Sequence, residues 1–300
     1  MTGVRAAILL AFVACRGEEV VVVGGKDFLE QDVLAEVVAQ ELESRGVEVE
    51  RQLHLGGTHL AHEAIKSGEI DLYVEYTGTA LVEILDHAPL RQAQRAREVV
   101  AGEYLRRWDL VVGPPLGFEN TFAFVVRTGD ADSLGLATIG DLAPHAPRWT
   151  IGVGPEFLDR ADGYRGVTEM YGLEFGGVRQ MDLGLLYRAL VGGRVDVAVG
   201  NSTDGQIAAL GLVVLRDDRR FFPPYEAVPI ARRQVLERYP SVAQALESLA
   251  GALPADAMRS LNRSVTEGGD ASEVVRRWRG VREPAGASVR TGSSNRREGG

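Results

Sequence analysis

Few residues of this chain have the types and spacing that chemistry requires, and those point to binding more than to reaction. There is no G-x-S-x-G elbow for a nucleophilic serine and no H-E-x-x-H for a catalytic metal. Glu30, Glu75 or Asp204 could act as a general base, but no nucleophile–base pair or metal set accompanies them, so no enzyme is expected. His54, His59 and His62 lie close together, with His59 and His62 at i, i+3 on one helix, a spacing that metal ligation uses. No Cys or carboxylate pattern completes that set; solvated or packed histidines are the better reading, and no metal is expected. Gly24-Gly25 follows an apolar run but lacks the G-x-G-x-x-G spacing of a dinucleotide loop, so no cofactor is expected. Gly56-Gly57-Thr58 opens a helix with free backbone N–H groups. That suits a carboxylate or other anion, and equally an ordinary capped turn. Tyr76 and Tyr225 stand in polar loops, and Phe122 stands where the chain crosses between halves. Aromatic faces attract cations, and several arranged as a cage hold quaternary ammonium. Any one of these rings alone also fits core packing.

Elements must hold these residues in place, and the clearest element signal is a stretch that occurs twice. Residues 64–79 read AIKSGEIDLYVEYTGT and residues 189–204 read ALVGGRVDVAVGNSTD. An offset of 125 pairs Ala64 with Ala189, Gly68 with Gly193, Ile70 with Val195, Asp71 with Asp196 and Val74 with Val199. Each copy reads as a helix end, a Gly turn, a short apolar strand and a polar loop. Apolar runs at 20–24, 47–55 and 70–74 alternate with helical patterns at 30–45 and from Gly56 through Ile65, with Thr58 as N-cap. The order repeats with strands at 149–153, 177–181 and 195–199 and helices at 156–171 and 183–191. Further helices are expected at 79–86, 91–107, 205–210, 231–238, 240–252 and 254–265, and further strands at 110–112, 121–127, 213–215 and 228–230. Two such units predict two similar α/β lobes with a ligand cleft between them, Tyr76 falling opposite Asn201 at its mouth.

Size and composition agree. Three hundred residues suit two lobes of roughly 100–150 residues each. A net charge of −9 argues against nucleic acid, which needs a basic face. Lysine occurs only at 26 and 66 among 33 basic residues, which fits a GC-rich genome and makes Lys26 noteworthy. The start, MTGVRAAILLAFVAC, has one early cation, Arg5, then an apolar run too short to span a bilayer but of secretory h-region length. Small residues before the single Cys15 resemble a bacterial lipobox, which predicts a signal peptide over 1–15, a lipid on Cys15 and an extracytoplasmic remainder touching the membrane through that anchor alone. A lone Cys forms no intrachain disulfide. Residues 281–300, rich in Gly, Ser and Arg, read as a disordered tail.

Several stretches carry a family resemblance. Gly24-Gly25-Lys26-Asp27-Phe28-Leu29-Glu30-Gln31, Leu55-Gly56-Gly57-Thr58, Gly68-Glu69-Ile70-Asp71, Glu75-Tyr76-Thr77-Gly78-Thr79, Phe118-Glu119-Asn120-Thr121-Phe122, Ser202-Thr203-Asp204-Gly205 and Phe222-Pro223-Pro224-Tyr225 come in one order. Together they resemble the substrate-binding proteins of osmoprotectant ABC importers, the glycine betaine/carnitine/choline group, over roughly residues 20–280. The resemblance implies a type II periplasmic-binding-protein fold, each lobe a mixed sheet flanked by helices, with lobe 1 at 20–124 and 228–280 and lobe 2 at 125–227. It implies a betaine-type ligand delivered to a permease and its ATPase. It also implies a ligand set: Lys26 toward a carboxylate, Tyr76 with Thr79 on one wall, Phe122 and Tyr225 as further cage rings, and Gln31, Gly57, Thr58 and Thr203 from the shared stretches. Asn201 stands where the family has a tyrosine, so one cage wall is missing. Either binding of a small betaine is weaker, or the space serves a bulkier betaine such as ergothioneine. A ligand sensor or an enzyme on the same scaffold is the alternative class.

Overall fold

The stretch that occurs twice folds twice in the same way. The computed structural model describes residues 20–282; the expected signal peptide, Cys15 and the tail beyond Arg282 lie outside them. Helix Thr58–Ser67 ends at Gly68 with φ +81°, and helix Leu183–Val191 is followed by Gly193 with φ +66°, left-handed turns that glycine adopts without strain. After the first, the N–H groups of Glu69 and Ile70 donate to the Ala64 carbonyl at 3.0 and 3.3 Å; after the second, those of Arg194 and Val195 donate to Ala189 at 2.9 and 3.4 Å. The repeated aspartate then clips its strand to the neighbour. Asp71 Oδ2 accepts from Val22 N at 3.0 Å, and Asp196 Oδ2 from Thr150 N at 2.9 Å. The other oxygen of each meets an arginine at the end of a strand arriving from the opposite lobe: Arg232 for Asp71 and Arg127 for Asp196, both at 3.2 Å.

Two five-stranded mixed sheets result. With β1 Val21–Gly24, β2 Val49–Gln52, β3 Leu72–Tyr76, β4 Leu110–Val112 and β10 Ala227–Arg232, the first runs β2-β1-β3-β10-β4. With β5 Phe122–Arg127, β6 Thr150–Val153, β7 Gly177–Gln180, β8 Val197–Asn201 and β9 Leu212–Leu215, the second runs β7-β6-β8-β5-β9. In each sheet three parallel strands meet one antiparallel crossing strand, β10 against β3 and β5 against β8. The lobe boundary expected at 124/125 falls inside β5, because Phe122–Phe124 already pair with β8; the chain changes sheet before Phe122 and again before Ala227. The two crossing segments lie side by side, with Asn120 N donating to Tyr225 O at 3.1 Å and Ala227 N to Phe118 O at 3.1 Å.

Helix Leu29–Glu43 shows why the periodic apolar pattern works. Val33, Leu34, Val37, Val38 and Leu42 are fully buried in the lobe 1 core, where each such side chain contributes about 1.5–3 kcal/mol. Elsewhere the elements depart from expectation. Gly57, not Thr58, caps the second helix, and no side chain makes the cap bond. The expected helix 79–86 is a short turn at Thr77–Thr79 running into a π-helix, Ala80–Ile84. Helices Thr128–Leu134 and Ala271–Arg282 were not read from the sequence. The latter extends past the expected start of the tail at 281. It is mostly polar, and only Val274 and Val275 on its inner face are buried in the lobe 1 core.

The histidines do not converge. His54 and His59 are exposed, facing Asp27 and Glu83, while His62 is buried with both ring nitrogens unpartnered, packed 4.4 Å from Trp108 and 5.4 Å from Tyr104. Burial, helped by Lys66, pushes its pKa down to about 4. Below its ordinary pKa near 6.5 the unfolded chain takes up a proton that the folded chain refuses, so stability falls from about pH 6.5 down to about pH 4. The expected loss is ~2–3 kcal/mol. Urea titrations at pH 7 and pH 4.5 should show His62→Leu losing less stability than the parent; equal losses would refute this.

Candidate functional site

The strand ends of both sheets and the two crossing segments border a cleft of about 720 Å³. Lys26, Gly57, Thr58, Tyr76, Thr79, Phe122, Asn201, Thr203 and Tyr225 all line it. Gln31 does not. It lies behind Tyr76, its amide nitrogen 3.4 Å from the Tyr76 hydroxyl, and so supports the ring rather than meeting the cleft.

The rings are held from behind. Tyr76 ends β3, and its hydroxyl donates to Glu30 Oε1 at 2.5 Å. Tyr225 comes from the second crossing segment, and its hydroxyl donates to Asp162 Oδ2 at 2.5 Å. Gly78 gives the Tyr225 ring its seat: a Cβ there would stand 2.6 Å from the ring. Burial, reinforced by Glu30 and by Asp162 respectively, pushes both phenols well above their usual range, so both remain neutral donors. Phe122 opens β5 and packs edge-on to Phe157 at 4.8 Å and to Tyr225 at 5.9 Å. Asn201, where the resemblance implies a ring, is its direct partner across the sheet. Phe28 and Phe157 also line the cleft; neither was singled out from the sequence, Phe28 being the residue before one helix and Phe157 the third residue of another.

The charges differ from expectation. Lys26 is buried and pairs with Glu75 at 2.6 Å, its ammonium 5.0 Å from the Tyr76 ring centre. The carboxylate it answers is therefore the protein's own. The Thr58 amide is likewise engaged: Glu156 of lobe 2 reaches across the cleft, and Thr58 N donates to its Oε1 at 3.3 Å. A Cβ on Gly57 would come within 2.6 Å of that oxygen, so glycine is what admits the carboxylate. The cation that sequence reasoning missed is Arg160. It is 3% exposed and gripped by Asp162 through Nε at 2.8 Å and Nη2 at 2.7 Å. Its guanidinium lies 5.3 Å from the Phe122 ring centre and 5.9 Å from that of Tyr225. Nη1 is left with only a 3.5 Å contact to Thr79 Oγ1 across the cleft.

Residues 19–280 match the family described as the substrate-binding domain of ABC-type glycine betaine transport systems. The chain belongs to that family. This substrate-binding protein is 35% identical to a glycine-betaine-binding protein of Pseudomonas aeruginosa, over 81% of each chain. It is 32% identical to a carnitine transport binding protein of Listeria monocytogenes, over 80% of this chain and 79% of the relative. It is also 33% identical to the ergothioneine transport permease/ergothioneine binding protein of Helicobacter pylori, over 83% of this chain but only 45% of that longer protein. A solved structure titled a glycine betaine/carnitine/choline ABC transporter superposes with a TM-score of 0.75 at 31% identity, over 86% of this chain and 97% of that one. The two mixed sheets joined by paired crossings are thus the type II periplasmic-binding-protein fold. Among the described residues no helix is long and apolar enough to cross a membrane.

Proposed function

We propose that this substrate-binding protein captures a quaternary-ammonium zwitterion outside the cytoplasmic membrane, tethered by a lipid on Cys15, and delivers it to an ABC permease driven by its ATPase. The observation that carries the reading is the convergence of Tyr76, Phe122 and Tyr225 on one cleft beside a buried arginine whose Nη1 has only a long 3.5 Å bond to Thr79. The rings supply cation–π attraction of about 0.5–2 kcal/mol each. Nη1 of Arg160 supplies a donor for the carboxylate, since Nε and Nη2 are taken by Asp162. Binding and lobe closure are one equilibrium: the ligand favours the closed state by touching both lobes.

A bulkier betaine such as ergothioneine is the second reading. Asn201 in place of a ring, together with a cleft of about 720 Å³, leaves more room than a small betaine fills. Calorimetry against glycine betaine, choline, carnitine and ergothioneine tests both, and binding of none of them overturns the proposal. Asn201→Tyr separates the two. It should tighten a small betaine by about tenfold if a wall is simply missing. It should weaken a bulkier ligand by a similar factor if Asn201 makes room for it.

A further inference from the structure

Three fully or nearly buried carboxylates stand at or behind the cleft. Glu75 has Lys26 at 2.6 Å and Asp162 has Arg160 at 2.7 Å. Glu30, 4% exposed and lining the cleft, pairs with no cation among the described residues. Its oxygens are instead filled by neutral donors. Oε1 accepts from the Tyr76 hydroxyl at 2.5 Å and Asn120 Nδ2 at 2.8 Å. Oε2 accepts from Asn262 Nδ2 at 2.7 Å and from the Thr203 hydroxyl. A carboxylate offers about four lone-pair sites, and here each has a donor. Burial outweighs the four bonds and raises the pKa of Glu30, while the bonds, the Thr203 hydroxyl first, pull it back toward the ionised form. Asn262 Nδ2 also donates to Thr203 O at 2.9 Å, which holds that amide nitrogen toward Glu30, and four groups that all donate form the arrangement of the ionised carboxylate.

The cleft therefore contains a buried negative charge without a counter-charge, in hydrogen-bond contact with a cage ring. Such a charge is costly until a cation offsets it. The saturation also has a chemical consequence. A primary or tertiary ammonium brings N–H donors that would find no free lone pair on Glu30, whereas a quaternary ammonium brings charge and no donor. We propose that Glu30 is a specificity-determining residue: it is the counter-charge of the ligand's cation, and it selects quaternary ammonium because its own acceptor sites are already used. This rests on the cleft being a site for a quaternary-ammonium zwitterion.

The test uses ligands that differ in one feature. Glycine betaine and the anion of tert-butylacetic acid share shape and carboxylate and differ only in nitrogen against carbon. Calorimetry, with competition for the weaker ligand, should give the wild-type protein a preference for glycine betaine of about 100-fold or more, and Glu30→Gln should shrink that ratio at least about tenfold. Asn262→Ser, which removes one donor and keeps the charge, should weaken both ligands together and preserve the ratio. N,N-dimethylglycine, with one N–H in place of a methyl, should bind the wild type at least about tenfold more weakly than glycine betaine, a comparison that needs no variant. An unchanged ratio in folded Glu30→Gln, or equal binding of dimethylglycine, overturns the role of Glu30 while leaving the betaine reading intact. Failure of the wild type to bind glycine betaine overturns the reading beneath it.

Discussion

Lys26→Met should cost the fold about 3–5 kcal/mol, because it leaves Glu75 charged and sealed with no cation. Glu75 is fully buried, and its remaining donors are the Tyr76 N–H at 2.8 Å and the Tyr73 hydroxyl at 3.4 Å. Those two bonds do not replace a full positive charge. Against a total stability of about 5–15 kcal/mol, the loss is a large fraction of what holds the protein folded. Methionine keeps much of the lysine's length, so the penalty is electrostatic rather than a cavity. Adding Glu75→Gln removes the stranded charge and should restore more than half of the loss. Urea midpoints for the single and double variants decide the matter: a single-variant cost below about 1 kcal/mol would mean that water reaches Glu75 and that the pair is not sealed.

Tyr76→Ala should lower ligand affinity about 100-fold or more, through the cation–π face and the apolar ring area lost together. The substitution also strips Glu30 of one of its four donors and leaves Gln31 Nε2 without its hydroxyl partner. Tyr76→Phe distinguishes these effects. It keeps the face and drops the hydroxyl, so affinity should fall by less than about tenfold while stability falls by about 0.5–1.5 kcal/mol. Calorimetry and thermal melts of both variants check the split. A Tyr76→Ala protein within threefold of the parent would remove this ring from the cage.

What the sequence disclosed was mostly local. Gly68 and Gly193 mark helix ends because only a left-handed turn follows there, and Val33, Leu34, Val37, Val38 and Leu42 show one helix face at the spacing that burial demands. The rings of the proposed cage were legible because they lie in short stretches that carry the family resemblance. The charge pattern was not. Lys26 finds Glu75 across 49 residues, Glu30 finds Thr203 across 173 and Asn262 across 232, and Glu156 crosses the cleft to Thr58. No periodicity encodes such pairs; each exists only once two sheets and two crossings have been assembled. Arg160 was missed because, with Asp162 only two residues away, it is one of many arginines near an acid until the distant Phe122 and Tyr225 rings close on it. Lys26 lines the cleft, and its pairing with Glu75 was hidden because that partner lies on β3.

The crossing strands also set an order of assembly. Every strand of the second sheet comes from one uninterrupted run, Phe122 to Leu215, whereas the first sheet stays incomplete until β10 has been made and has inserted between β3 and β4. Pairing Tyr76 with Ala227 closes a loop of roughly 150 residues, and long loops of this kind make non-local β pairing slow. Once the chain is free to fold, lobe 2 can complete its whole sheet from one contiguous run, whereas lobe 1 keeps β3 exposed along one edge until β10, which follows all of lobe 2 in sequence, has paired with it.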